Sequence, residues 1–134
     1  MATGFAGLTA VCGVIWSRQM RSVNLIEKLK GERLSSVTFV QYYIQLHFDG
    51  PVMNVFTPLT VCAGGRKERS WSLEFRNILC AQIAKKVKSV EYEDKMYLKL
   101  GFTDESFISI SLVPDDYVGP EAVYFIGYDE TIAI

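Results

Sequence analysis

The sequence is short of the residues on which most enzyme chemistry depends. It contains a single histidine, His47, and no Gly-x-Ser-x-Gly, Walker or dinucleotide-binding motif. Its three cysteines, Cys12, Cys62 and Cys80, are widely spaced. A structural zinc site needs about four ligands at close spacing, so the sequence predicts no metal site. Because the motifs named above are missing, it also predicts no cofactor and no catalytic residue. A non-enzymatic protein is favoured, since a Cys–His nucleophile pair would need a proximity that spacing does not show.

The cysteines also bear on the cellular compartment. Their number is odd and they include no CxxC pair, so they do not form a disulfide framework. Such thiols are typical of reducing compartments. We therefore expect a cytoplasmic protein in which Cys62 and Cys80 pack as small apolar side chains.

Long hydrophobic runs are missing as well. The mostly apolar stretch at residues 4–16 (GFAGLTAVCGVIW) is 13 residues long, which is too short to span a bilayer as a helix. Arg18 and Arg21 follow this run, whereas a signal peptide carries its positive charges before it. The sequence thus predicts no membrane partner. We interpret residues 1–24 as an N-terminal extension, either a packed strand or helix or an over-long start on the surface.

Net charge is nearly absent, but the charges are unevenly distributed. The formal charge is −1, which argues against a nucleic-acid partner. Residues 1–90 carry 12 Lys/Arg and five Asp/Glu, a balance of +7, whereas residues 91–134 carry two Lys and ten Asp/Glu, a balance of −8. A solvated acidic rim is favoured over a catalytic carboxylate pair. Two roles are open for these acids: pairing with the chain's own basic part, or binding a basic partner. For the second role we predict one patch for a basic protein partner, with Asp104, Glu105, Asp115 and Asp116 as its members.

What the sequence does contain is strand periodicity, most clearly in residues 87–112. In its middle run Met96, Leu98, Leu100 and Phe102 alternate with polar or small residues, and Ile108, Ile110 and Leu112 do so in the last run. A period of two indicates strands with one buried face. Short polar breaks separate the runs, so the stretch predicts a three-stranded antiparallel meander.

The rest of the chain predicts further strands, two helices and turns. Asn24 is a candidate cap for a helix that contains Leu25, Ile26 and Leu29. A second helix is predicted from about Leu73, because an apolar face at i, i+3, i+4 and i+8 is formed by Phe75, Ile78, Leu79 and Ile83. Further predicted elements are strands at 34–39, 42–48 and from Pro51 to about Phe56 or Val61, an exposed loop at 64–69, and an edge strand or closing helix at 121–128.

Two segments share the same apolar series. Residues 29–50 align with residues 83–104, and the matched positions end at Phe48 and Phe102. The sequence therefore predicts a single α+β domain, residues 1–134, with a mainly antiparallel sheet built from two quasi-repeated helix–three-strand meanders. The first repeat spans 25–62 and the second 73–114. Because one such unit covers its apolar face poorly, the two copies are expected to pack together.

The segments LKGERLSSV…IQLHFDG and IAKKVKSV…LKLGFTD, with the ending VPDDYVGPEAVYF, carry a resemblance. Over residues 25–128 the chain resembles small bacterial domains of unknown function, some of which are grouped with the immunity proteins of polymorphic-toxin systems. The resemblance implies a binding protein and assigns no functional residue.

The function that the sequence favours is a non-enzymatic interaction protein, such as an immunity or inhibitor protein that binds a basic protein. The alternative is a small-ligand-binding or enzymatic domain with a pocket between the two repeats. Off-pattern aromatic residues, Trp71 and Tyr43, are candidate exposed contacts. A homodimer is also expected, because each meander has an edge strand that needs a cover.

Overall fold

The computed structural model describes residues 21–134, so the apolar run at 4–16 and Cys12 lie outside the described residues. The described chain folds into strands joined mostly by tight turns, with little helix. In chain order the elements are α1 (21–27), β1 (Leu34–Val40), β2 (Tyr43–Phe48), β3 (Val52–Val55), β4 (Leu59–Ala63), β5 (Arg66–Arg69), α2 (Phe75–Cys80), β6 (Val87–Glu93), β7 (Tyr97–Phe102), β8 (Phe107–Ser111), a 3₁₀ helix (Pro114–Asp116), β9 (Val123–Gly127) and β10 (Glu130–Ala133).

The strands form two antiparallel sheets of five strands each. Sheet 1 has the order β1-β2-β3-β9-β10, and sheet 2 has the order β5-β4-β8-β7-β6. The chain therefore crosses from sheet 1 to sheet 2 after β3 and returns after β8. The predicted α+β class with mainly antiparallel sheet is confirmed.

Alternating side chains build a single core. In β7, Leu98, Leu100 and Phe102 are buried, whereas Tyr97 and Lys99 are only partly covered. The same pattern in the other inner strands sends apolar side chains from both sheets and both helices into one cluster. Met96 is an exception to the predicted face, because it lies in the β6–β7 turn and is exposed.

Both helices differ from the sequence expectation. Asn24 lies inside α1 rather than at its cap, since the chain is already helical at residue 21. The second helix starts at Phe75 and ends at Cys80, so the predicted face does not continue to Ile83, which is exposed. Gln82 is fully buried instead, and its side-chain amide donates a hydrogen bond to the Ile78 carbonyl at 2.9 Å.

Three strand assignments also need correction. Residues 66–69, predicted as loop, form the edge strand β5, because Gly64 and Gly65 supply the positive φ that a tight hairpin turn requires. The strand after Pro51 ends at Val55, and β4 belongs to the other sheet. The segment predicted as an edge strand or closing helix is β9, which lies inside sheet 1 between β3 and β10.

Candidate functional site

Asp104 and Glu105, two of the four expected partner-binding residues, lie in the β7–β8 turn beside lysines. The Lys85 Nζ is 2.7 Å from Asp104 Oδ2, and the Lys88 Nζ is 2.7 Å from Glu105 Oε2. Hydrogen bonds from Lys85 and Ser106 hold the pKa of Asp104 well below its usual range. These carboxylates are therefore largely compensated by the chain's own cations. We call this region, residues 85–88 with 103–106, the lysine end.

Asp115 and Asp116 lie in the 3₁₀ helix that follows β8. All of β8 separates them from Asp104 and Glu105, and its five residues span about 16 Å at the usual strand rise. The prediction that all four carboxylates form one patch is thus wrong. The physical reason is that a strand carries its two flanking turns to opposite ends of the sheet.

Other carboxylates lie near Asp115 and Asp116 instead. Glu93, at the end of β6, opposes Tyr97 of β7, which in turn opposes Ser111 of β8. Adjacent strands lie about 4.8 Å apart, so the β6–β7 turn and the 3₁₀ helix lie at one end of sheet 2. The Leu112 amide also donates to the Met96 carbonyl at 3.0 Å.

Two partly buried tyrosines lie close enough to Asp94 for its charge to affect their pKa values. Burial raises the pKa of Tyr92 to about 12, with a further contribution from its hydrogen bond to Asp94 at 3.1 Å. Burial, and then the charge of Asp94, also raise the pKa of Tyr117. Asp94 therefore acts on the segment that directly follows Asp116.

Exposed apolar side chains accompany these carboxylates. Val118 is 90% exposed, Met96 is 54% exposed, and Val113 is exposed as well. Apolar groups beside a charged rim are typical of a protein-binding surface. We call this surface the acidic end, and its members are Glu93, Asp94, Met96, Val113, Asp115, Asp116 and Val118.

Two basic residues of the chain lie beside the acidic end. Arg69 of β5 lies 3.2 Å from Asp116, whose carboxylate also accepts a hydrogen bond from Ser111. Lys95 lies in the β6–β7 turn and is the second of these basic residues. This grouping is predictable from the sequence. Successive turns of a meander lie at alternate ends of the sheet, so the turn at 93–96 and the segment at 112–116 lie at the same end.

The histidine and the cysteines form no reactive centre in the described part of the chain. His47 lies on the outer face of sheet 1, where its Nε2 is within hydrogen-bond distance of Gln45 and Thr38. Cys62 is half-buried and Cys80 is exposed, so the expected packing is wrong for Cys80. Among residues 21–134 no group of three or more potential ligands is placed to hold a metal ion.

A polar cleft lies between the β4–β5 turn and the β7–β8 turn. Its volume is about 390 Å³ and it is open to solvent, and its lining includes Cys62, Arg66, Lys67, Asp104 and Ser106. The cleft lies between the lysine end and the β4–β5 hairpin, at the end of sheet 2 opposite the acidic end.

Comparison with known proteins does not add to this description. No protein-family model, curated protein or solved structure matches the chain. Within the described residues, no helix is long and apolar enough to cross a membrane. Residues 21–134 form two antiparallel sheets, and one end of sheet 2 is acidic and partly apolar.

Proposed function

We propose that this chain is a non-enzymatic interaction protein that binds a basic protein partner through the acidic end. The observation that carries the proposal is the grouping of four carboxylates with three exposed apolar side chains on the β6–β7 turn and the segment after β8. Charge of one sign speeds the encounter with an oppositely charged partner. The apolar side chains supply the area whose burial stabilises the complex.

The lysine end does not support the same function. Both of its carboxylates lie 2.7 Å from a lysine Nζ, so a basic partner would have to displace these lysines or remain at a distance. At the acidic end the corresponding contact is the longer Arg69–Asp116 pair. Asp115 and Asp116 therefore stay in the proposed site, and Asp104 and Glu105 leave it.

A charge-neutralising double variant tests this proposal. Glu93→Gln with Asp115→Asn should slow association with a helical amphipathic peptide of leucine and lysine by about three- to tenfold at low salt, and the difference should shrink as salt screens the charges. Thermal stability should stay nearly unchanged. Association is measured by surface plasmon resonance with the protein immobilised through its C-terminus.

The matched control is Asp129→Asn with Glu130→Gln. It removes the same net charge at the β9–β10 turn of the other sheet. Equal slowing by the two double variants would mean that only overall charge matters. Unchanged kinetics for the Glu93/Asp115 variant at low salt would remove the acidic end from the mechanism.

We also propose that the binding activity is that of an immunity or inhibitor protein acting in the cytoplasm. The support is the sequence resemblance over residues 25–128 together with the widely spaced thiols. A toxin-like gene beside this one, whose product forms a complex with the purified chain, is the expected finding. A toxin-like neighbour that fails to bind would contradict the proposal.

The second candidate function is binding of a small anion in the polar cleft. It is favoured by Arg66 and Lys67, which line the cleft beside the Gly64-Gly65 turn. Asp104 and Glu105 line it too, but each is ion-paired with a lysine. Titration with inorganic phosphate, followed by amide NMR, should shift residues 63–67 if the cleft binds an anion. The absence of shifts at millimolar phosphate would dismiss this candidate.

We further propose that the chain is a tandem of two repeats of a helix and a three-stranded meander. Equivalent strand pairing supports this proposal. Leu34 opposes Phe48 in the first meander, and Val87 opposes Phe102 in the second. In both meanders a register irregularity follows the pair. The sequence alignment placed the same four positions in correspondence.

Reciprocal contacts between the two meanders also support the repeat. The Gly31 amide donates to the Val87 carbonyl at 2.8 Å, and the Ala84 amide donates to the Leu34 carbonyl at 2.7 Å. Gly31 has φ 93° and Ala84 has φ 81°. Each donor thus has the same unusual backbone conformation and contacts the first residue of the other meander.

The repeat extends to the hairpins that follow the meanders. In β4–β5 Ala63 opposes Arg66, and in β9–β10 Gly127 opposes Glu130, so both hairpins close through two residues. Each hairpin lies in the sheet of the other meander, because β4 pairs with β8 and β9 pairs with β3. The two halves are therefore proposed to exchange hairpins.

A homodimer is proposed on the basis of one open sheet edge. Charged residues, which discourage edge pairing, occupy all four positions of edge strand β5 (RKER), whereas edge strand β1 (LSSVTFV) has none. Pairing of two β1 strands would join the sheets of two copies. Light scattering at micromolar concentration should give twice the chain mass, and a mass near 15.1 kDa would reject the dimer.

A further inference from the structure

Residues 70–74, between β5 and α2, expose two large apolar side chains. Trp71 is 54% exposed and Leu73 is 94% exposed. Isolated exposed apolar residues are common, but these two lie only two residues apart in one short loop. We call this segment the tryptophan loop.

Hydrogen bonds hold the tryptophan loop in place. The Ser70 amide and hydroxyl both donate to the Leu59 carbonyl, and the Ser70 hydroxyl accepts from the Leu59 amide at 2.8 Å. The Ser72 amide donates to the Arg69 carbonyl at 3.0 Å, and its hydroxyl donates to Glu68 at 2.7 Å. The hydrogen bonds of Ser70 and Ser72 therefore restrict the backbone on either side of Trp71, so less backbone entropy is lost when the loop binds.

The backbone of Trp71 is strained. Its φ is 73°, in the left-handed region that favours glycine. The indole ring lies edge-on to Phe75 at 5.9 Å between centroids, and the Arg76 guanidinium lies 5.8 Å from the indole centroid. Strained non-glycine residues that stay exposed are found at functional sites, where the side chain is needed for its contacts.

The tryptophan loop adjoins the acidic end. Arg69 connects them, since its side chain is ion-paired with Asp116 and its carbonyl accepts the hydrogen bond from Ser72. The start of β4 connects them as well. The Pro58 carbonyl accepts a hydrogen bond from the Ser111 amide, and the carbonyl of the next residue, Leu59, accepts one from the Ser70 amide. One partner can therefore contact both surfaces at once.

We propose that Trp71 and Leu73 are the apolar anchors for the basic protein partner, whose cationic groups contact the acidic end. This inference rests on the proposed function and adds the chemistry of the partner: an apolar ridge flanked on one side by Lys or Arg. Tryptophan is enriched among the residues that dominate binding energy at protein interfaces. The Arg76 guanidinium beside the indole repels cations, so the charged groups of the partner lie on the Asp116 side.

The test compares Trp71→Gly with Trp71→Ala. Both variants remove the indole, but only glycine relieves the strain at φ 73°. Both should weaken binding of the leucine–lysine peptide by about tenfold, although Trp71→Gly should have the higher melting temperature of the two. Leu73→Ala should weaken binding with no change in melting temperature, and Ala84→Gly, at φ 81° near the lysine end, should leave binding unchanged.

The two proposals fail in different ways. If the parent chain does not bind the peptide at low salt, the proposed function fails. If the parent binds and the Glu93/Asp115 variant weakens binding, but Trp71→Gly binds as the parent does, only the anchor role is overturned. A merely structural role for the indole predicts that binding follows melting temperature across the two Trp71 variants, and that result would also overturn the anchor role.

Discussion

Leu100→Ala is expected to lower the free energy of unfolding by about 2–5 kcal/mol. Leu100 has no exposed surface, and it lies in β7, in the middle of the β6–β7–β8 meander. The substitution removes three buried carbon atoms and leaves a cavity that the close-packed core fills only in part. Urea denaturation followed by circular dichroism measures the difference.

The matched control makes the same chemical change at an exposed position. Leu73→Ala should change stability by less than about 0.5 kcal/mol, because Leu73 is 94% exposed. If Leu100→Ala lost no more than this control, the assignment of Leu100 to the core face would be wrong.

Separating the chain between Ser72 and Leu73 is expected to abolish cooperative folding of each part. Residues 1–72 would retain β3 without its partner β9, and residues 73–134 would retain β8 without its partner β4. Each part would also expose to water the apolar side chains that the other part covers in the shared core. Mixing the two fragments should restore one cooperative thermal transition, because each supplies the hairpin that the other lacks.

A variant fragment controls for nonspecific association. Residues 73–134 carrying Leu100→Ala should bind residues 1–72 more weakly than the parent fragment does, since the cavity persists in the reassembled core. If either fragment alone showed a cooperative transition that mixing did not change, the proposed exchange of hairpins between two dependent halves would be incorrect.

The strands of the meanders were largely predictable from the sequence because alternation is a local property. Leu98 and Ile110 face the core as their period-two pattern indicates. The helices were less predictable, since α2 ends at Cys80 and the turn that follows buries Gln82 instead of Ile83. That outcome depends on the tertiary hydrogen bond from Ser106 to Gln82 at 2.8 Å.

The alternation of apolar residues does not predict the sheet to which each hairpin belongs. The segment from Val52 to Val61 reads as one extended stretch, yet its first part pairs with β9 and its last part with β8. Nothing local distinguishes these partners, because both present the same alternation. The order of strands follows only when the two meanders are packed together.

The sequence predicts that the candidate site contains carboxylates, but it does not predict which carboxylates lie together. The excess of carboxylates after residue 90 predicts an acidic surface, and Asp115 and Asp116 lie at the same end of sheet 2 as Glu93 and Asp94. Asp104 and Glu105 do not, because β8 carries them to the opposite end, where lysines meet them. Trp71 departs from the strand pattern in the sequence, but nothing in the sequence indicates its left-handed backbone.

The central claim is that a basic partner binds the acidic end and the adjoining tryptophan loop. The most direct measurement is an amide NMR titration of the ¹⁵N-labelled chain with the leucine–lysine peptide at low salt. We predict that the largest shift changes fall at residues 70–73, 93–96 and 113–118. Largest changes at residues 85–88 and 103–105, or no changes at any peptide concentration, would contradict the claim.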